Sequence, residues 1–145
     1  MSKNDPQIHA TSLEVNALAL DGAYGAWLAD ESKWPEYTAA NRAYCAKLQT
    51  SFENYQRAAW DAWSSLRRFR DPGRAARKAF LRRMVEEAAA RLEKLNADDA
   101  TLPSVKIEAL YTLERAKLDL KIVSFPIRSL PYHRHVKQDI AEKSM

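Results

Sequence analysis

The sequence predicts an all-α protein: a helical bundle built on one long antiparallel helix hairpin, with an extended basic C-terminal segment. Three observations carry that reading. From Glu36 to Arg70 no Pro or Gly interrupts the chain, while Tyr37, Ala40, Tyr44, Leu48, Phe52, Tyr55, Ala59, Ala62, Leu66 and Phe69 recur at steps of three and four. At ~100° per residue those positions form one continuous apolar stripe. Asp71-Pro72-Gly73 then makes a turn in which Asp71 can cap and Pro72 can open the next helix. Strand formers are scarce: the valines are Val15, Val85, Val105, Val123 and Val136 only, whereas Ala, Leu, Arg, Lys and Glu abound.

The remaining elements follow in order. Residues 1–10 read as a polar N-terminal arm, residues 11–123 as the bundle and residues 124–145 as the extended C-terminal segment, all within one domain. Thr11 and Glu14 have capping-box spacing ahead of Leu13, Ala17, Leu20, Tyr24 and Trp27, which predicts a helix to about Asp30. Gly22 and Gly25 weaken it and mark a place for a kink. Pro35 suits the first position of the second helix, over 35–70. The third helix is expected over 72–95, with Leu81, Met84, Ala88, Leu92 and Leu95 on one face. A tight turn makes neighbours of the second and third helices, and one register sets Trp63 against Leu81, Tyr55 against Ala88 and Phe52 against Leu92. The fourth helix, about 104–123, is apolar on two faces: Val105, Ala109, Leu113, Ala116 and Leu120 on one, Ile107, Tyr111, Leu118 and Ile122 on the other. A helix with two apolar faces lies between neighbours.

Composition narrows the function classes. Four Trp, six Tyr and four Phe argue for a packed core and against disorder. No apolar stretch follows a basic start, and the longest apolar run, 23–29, contains Gly25 and is too short to span a bilayer. A cytoplasmic location and no membrane contact are the expectation. Cys45 is the single cysteine, so no internal disulfide forms, and its place beside the apolar stripe marks it as a small packed residue.

The templates for catalysis are missing. The sequence has no phosphate loop, dinucleotide fingerprint, HExxH or nucleophile elbow, and no Glu-x-x-His pair of a di-iron bundle. His133 and His135 lack a third ligand at a recognisable spacing, and Asp98 and Asp99 lack the spaced carboxylates and glycine of a calcium loop. The expectation is therefore a protein that is not an enzyme and takes no cofactor or metal.

Charge supplies the one pointer to a partner. Residues 1–36 hold two cations against six carboxylates, while residues 67–83 hold eight cations against Asp71 alone, a net +7. The candidate anion- or partner-binding residues are Trp60, Arg67, Arg68, Arg70, Arg74, Arg77, Lys78 and Arg82, around the hairpin tip. Trp60 lies ~120° from the centre of its stripe, so the partner helix does not cover it. Arg74 and Arg77 continue the stripe of Leu81 toward the turn, which places the tip beyond the core. Guanidinium forks and an aromatic face suit phosphate or nucleic acid. Three readings of the cluster stand side by side. It is a solvated helix end, with Trp60 packed under the fourth helix and the arginine stems laid along the hairpin; or it meets nucleic acid; or it meets an acidic protein surface. The functional expectation is a binding or regulatory protein acting on a nucleic-acid-handling complex through this tip. The alternative is an adaptor or inhibitor of another protein, without nucleic-acid contact.

Overall fold

The structure, a computed structural model, describes residues 12–67 and 73–125, with side chains described for 12–63 and 73–125. The expected N-terminal arm, the Asp71-Pro72 turn and the segment from 126 onward lie outside the described residues, as do His133 and His135. Four α-helices pack together: α1 Ser12–Ala29, α2 Trp34–Arg67, α3 Arg74–Ala97 and α4 Pro103–Ser124. A single 3-10 turn, Glu31–Lys33, joins the first two. No strand occurs among the described residues.

Local chemistry sets the joints. Asp30 caps the 3-10 turn, its Oδ1 accepting from Ser32 N at 3.1 Å and from Ser32 Oγ at 2.8 Å. Those two donors, side chain first, hold its carboxyl below the usual carboxylate range. Trp27 stacks on Tyr37 at 5.2 Å and 3°, and Tyr24 and Trp34 close around the same pair, so aromatic rings lock the corner between α1 and α2. Pro103 opens α4 at its first turn, where a missing N–H costs nothing. No side chain of α4 itself caps that end; α1 supplies the cap. Asp21 accepts from Ser104 N at 3.2 Å and from Ser104 Oγ at 2.6 Å, which brings a carboxylate to the positive end of α4.

The core has two centres. Leu20 of α1 is fully buried against Tyr44 and Leu48 of α2, with Ile107 and Tyr111 of α4 completing the cluster. Farther along α2, Ala59 and Trp60 close over Ile122 of α4, with Tyr55, Trp63, Leu118 and Phe125 around them. Burying a side chain such as Leu20 or Ile122 contributes about 1.5–3 kcal/mol. α1 is continuous through Gly22 and Gly25, and neither glycine has positive φ.

The packing of α3 departs from the register expected of a hairpin. Among the described residues no Cα of α3 comes within 8 Å of one in α2; α3 packs on α4, and α4 packs on α1, α2 and α3. The two-faced fourth helix does lie between neighbours, and the neighbours it separates are α2 and α3. Phe52 meets Tyr111 of α4, ring centroids 6.1 Å apart and edge-on, in place of Leu92. Trp63 lies in the Ile122 cluster, with Arg77 of α3 reaching over its ring. Hydrogen-bond demand explains the exchange. The α2 stripe carries polar tips on Tyr55 and Trp63 that need an acceptor when buried, and the inner face of α3 offers none. On α4, Asp119 accepts from Tyr55 Oη at 2.6 Å and from Trp63 Nε1 at 3.1 Å. Two further pairs continue the seam: Tyr111 Oη donates to Gln49 Oε1 at 2.9 Å and Arg115 Nη2 to Ser51 Oγ at 2.9 Å. The partners rise together along both chains, so α2 and α4 run parallel, with α3 as the return stroke outside α4.

Candidate interaction surface

The basic end of the molecule is where α3 begins and α4 ends, and the candidate residues divide there. Trp60 is 4% exposed, in the core between Ile122 and Phe125, with its ring edge-on to Phe125 at 6.1 Å. Of the readings of the cluster, the one with Trp60 packed under the fourth helix is what the structure shows, and the exposed aromatic face is set aside: α4, not α3, covers this flank of α2. Arg67 is the last residue of α2, and its side chain lies outside the described residues, as do Arg68 and Arg70 entirely.

Arg74 holds the end of α4. Its Nε and Nη2 donate to Val123 O at 3.2 and 3.0 Å, and Nη2 donates to Phe125 O at 2.7 Å. Helix C-termini leave carbonyls without intrahelical partners, and a guanidinium fork is well shaped to take them. The arginine that interrupts the apolar stripe thus occupies a core-facing position with a structural task, and the tip does not project beyond the core at Arg74. Arg77 lies over the Trp63 ring, its guanidinium carbon 6.0 Å from the centroid, within cation–π reach. Lys78 is half-buried on the inner side and Arg82 is exposed.

Two apolar side chains on α3 face outward. Phe80 is 52% and Met84 40% exposed, one turn apart and on a common ridge. The inner stripe that meets α4 is Leu81, Val85, Ala88, Leu92 and Leu95, with Leu81 buried and the others half-buried. Met84 had been expected there; Val85 takes the place. Spacing of four and three from Lys78 through Leu95 is the pattern of a helix that faces one neighbour, and it excludes Met84. That stricter period was the signal in the sequence for the outward ridge. Viewed down α3, Arg83 lies ~60° to one side of Phe80 and Arg77 ~60° to the other, while Arg82 is ~200° away on the far flank. Residues 74–85 carry five cations, Arg74, Arg77, Lys78, Arg82 and Arg83, and no carboxylate.

Among the described residues no group of three or more His, Cys, Asp or Glu is placed to hold a metal, and no helix is long and apolar enough to cross a membrane. Cys45 is half-buried, its Sγ–H donating to Asn41 Oδ1 at 3.2 Å, and burial pushes its thiol pKa up. A raised pKa keeps the thiol protonated and slow as a nucleophile. Tyr55 is likewise pushed far above a free phenol by burial and by its bond to Asp119, so it does not offer a phenolate. No family model, curated protein or solved structure matches the chain.

Proposed function

We propose that the protein works by binding rather than by catalysis, as an adaptor or inhibitor whose partner is another protein. One observation carries this reading: Phe80 and Met84 stand exposed on a single ridge of α3, within a stretch of five cations and no carboxylate. Phe, Met and Arg are enriched in protein interfaces, and an exposed aromatic beside arginine is the usual make-up of an interface anchor. A partner that fits has an apolar hollow rimmed by Asp or Glu. The charge of residues 74–85 favours a second reading, contact with the phosphates of a nucleic acid or with a nucleic-acid-handling complex.

The test is affinity capture of partners with and without nuclease, comparing wild type with Phe80→Ser/Met84→Ser. Exposed positions should tolerate the change within about 0.5 kcal/mol, so the variant remains folded. The expected result is a protein captured after nuclease treatment and lost with the double variant. Undiminished capture by that variant would overturn the assignment of the ridge. The nucleic-acid reading is checked by fluorescence anisotropy with single- and double-stranded DNA and RNA at several salt concentrations. Phosphate contacts would appear as affinity falling with salt, by a log–log slope of about 0.7–0.9 per contact.

A further inference from the structure

An open pocket of about 500 Å³ lies at the corner where α1 passes into α2, lined by Trp27, Leu28, Glu31 and Trp34. Two of its walls are indoles, their centroids 4.9 Å apart and their planes 56° apart. Locking the corner accounts for Trp27, which is half-buried and stacked on Tyr37. It does not account for the outer part of the cluster, where Trp34 is 49% and Leu28 65% exposed. Large apolar side chains left open around one pocket suit a ligand more than they suit the fold.

Charge and hydrogen-bonding capacity say what kind of ligand fits. Glu31 is the one lining side chain that can accept a hydrogen bond, and its carboxylate has no hydrogen bond or ion pair among the described residues. Within residues 28–36, Asp30, Glu31 and Glu36 stand against Lys33 alone. The negative pole of α1 and the positive pole of α2 meet at this corner and offset one another, so the side chains set the sign. Indole is the best of the aromatic rings for holding a cation over its face. A primary ammonium would bring three N–H donors to a single acceptor, between indole and leucine walls that displace its water. A quaternary ammonium has no such donors, and its methyl groups suit Leu28. We propose that this pocket binds a quaternary methylammonium group, seated over the Trp34 ring beside Trp27 with Glu31 as its counter-ion. The group comes either from a free solute or from a trimethylated lysine side chain on another protein.

The experiment is an NMR titration of the full chain that follows the indole N–H resonances. The probes are choline, its neutral isostere 3,3-dimethylbutan-1-ol, ethanolamine, and end-capped peptides carrying lysine or trimethyllysine. Choline should shift Trp27 and Trp34 but not Trp60 or Trp63, which lie in the Ile122 cluster. It should bind about 2- to 30-fold more tightly than the neutral isostere, the span of a cation–π contact. Each methylated amine should also bind more tightly than its unmethylated match. Preference between choline and the trimethyllysine peptide identifies the source. Trp34→Leu keeps an apolar wall and should bring choline and its isostere within ~2-fold of each other. Glu31→Gln changes an exposed side chain and should weaken choline by about 2- to 5-fold. Circular dichroism of both variants verifies the fold. Equal binding of choline and its isostere, a preference for the primary amines, no saturable shift at Trp27 and Trp34, or undiminished selectivity in Trp34→Leu would each overturn the assignment. Failure here leaves the α3 ridge untouched, since Phe80 and Met84 take no part.

Discussion

The two sides of α4 are held in different ways. Toward α2 the contact is directional: Asp119 takes hydrogen bonds from Tyr55 and Trp63, Arg115 donates to Ser51, and Tyr111 donates to Gln49. Toward α3 the only buried side chain that α3 itself supplies is Leu81, and the polar link is Arg74 on the last carbonyls of α4. Side-chain hydrogen bonds across a seam fix register because sliding by one residue strands every partner, whereas an apolar seam without them tolerates small shifts. The α2–α4 pair is thus the part of the bundle whose register side-chain hydrogen bonds specify, and α3, among the described residues, is laid along α4 alone, mainly by apolar packing.

The largest expected effect tests that difference directly. Asp119→Ala strands two half-buried donors and should destabilise the protein by about 3 kcal/mol, at about 1–3 kcal/mol for each donor left unmade. Arg74→Met keeps the stem and loses the bonds to Val123 and Phe125, and should cost about 1–2 kcal/mol. Urea unfolding of both variants measures this, and native-state hydrogen exchange adds the local view. Amides of α3 should exchange faster than those of α2 and α4. Among the described residues α3 packs on α4 alone whereas α2 and α4 each pack on more than one helix, and an element held from one side opens at lower free energy. Equal costs, or slower exchange in α3, would break the comparison.

Alkaline pH sharpens it further. The Tyr55 phenol is held well above its ordinary value of 10, first by burial and then by its hydrogen bond to Asp119. The folded state therefore binds this proton more tightly than the unfolded state does. Its contribution to stability is complete below pH 10 and is lost as pH rises toward the folded pKa. Stability should fall above pH 10, each such group adding a slope of at most about 1.4 kcal/mol per pH unit. Burial also raises Tyr37, Tyr44 and Tyr111, so Tyr55→Phe should make the decline shallower without abolishing it. Urea midpoints between pH 8 and 11 measure this. An unchanged slope in the variant would mean that the Tyr55–Asp119 contact is not closed in solution.

The elements were more legible in the sequence than their pairing. Pro35 and the 96–103 loop lie within a few residues of the helix ends because caps and breakers act locally, and α3 begins at Arg74 with Gly73 at its N-cap, two residues beyond the expected start at Pro72. The register of α2 against α3 failed because matching apolar positions by spacing ignores the polar tips of tyrosine and tryptophan. Asp119, which satisfies both Tyr55 and Trp63, sits 64 and 56 residues away from them, and no local pattern links such positions. The basic tip failed in part for a related reason. Arg74 reads as a free cation until α4 is seen to end beneath it. Phe80 and Met84 became visible only once the inner stripe of α3 was known to pass through Val85.

The smallest expected effect concerns the outer side of α1. Gly22 and Gly25 are exposed in the middle of a regular helix, and a Cβ built on either meets nothing within 4 Å. Glycine there costs the helix backbone entropy and gains no conformation that alanine lacks, since neither φ is positive. Gly22→Ala and Gly25→Ala should therefore each raise stability, by about 0.5–1 kcal/mol. The sites are close together but touch no common partner, so the double variant should come near the sum of the two. Urea midpoints at neutral pH measure it against the losses at Asp119 and Arg74. A gain would place α1 with the well-anchored side of the bundle, held through Leu20, the Trp27–Tyr37 stack and the Asp21–Ser104 contact. A loss at either glycine would mean that the space over this face is filled in solution, and the outer side of α1 would then join the α3 ridge as a surface that packs against something.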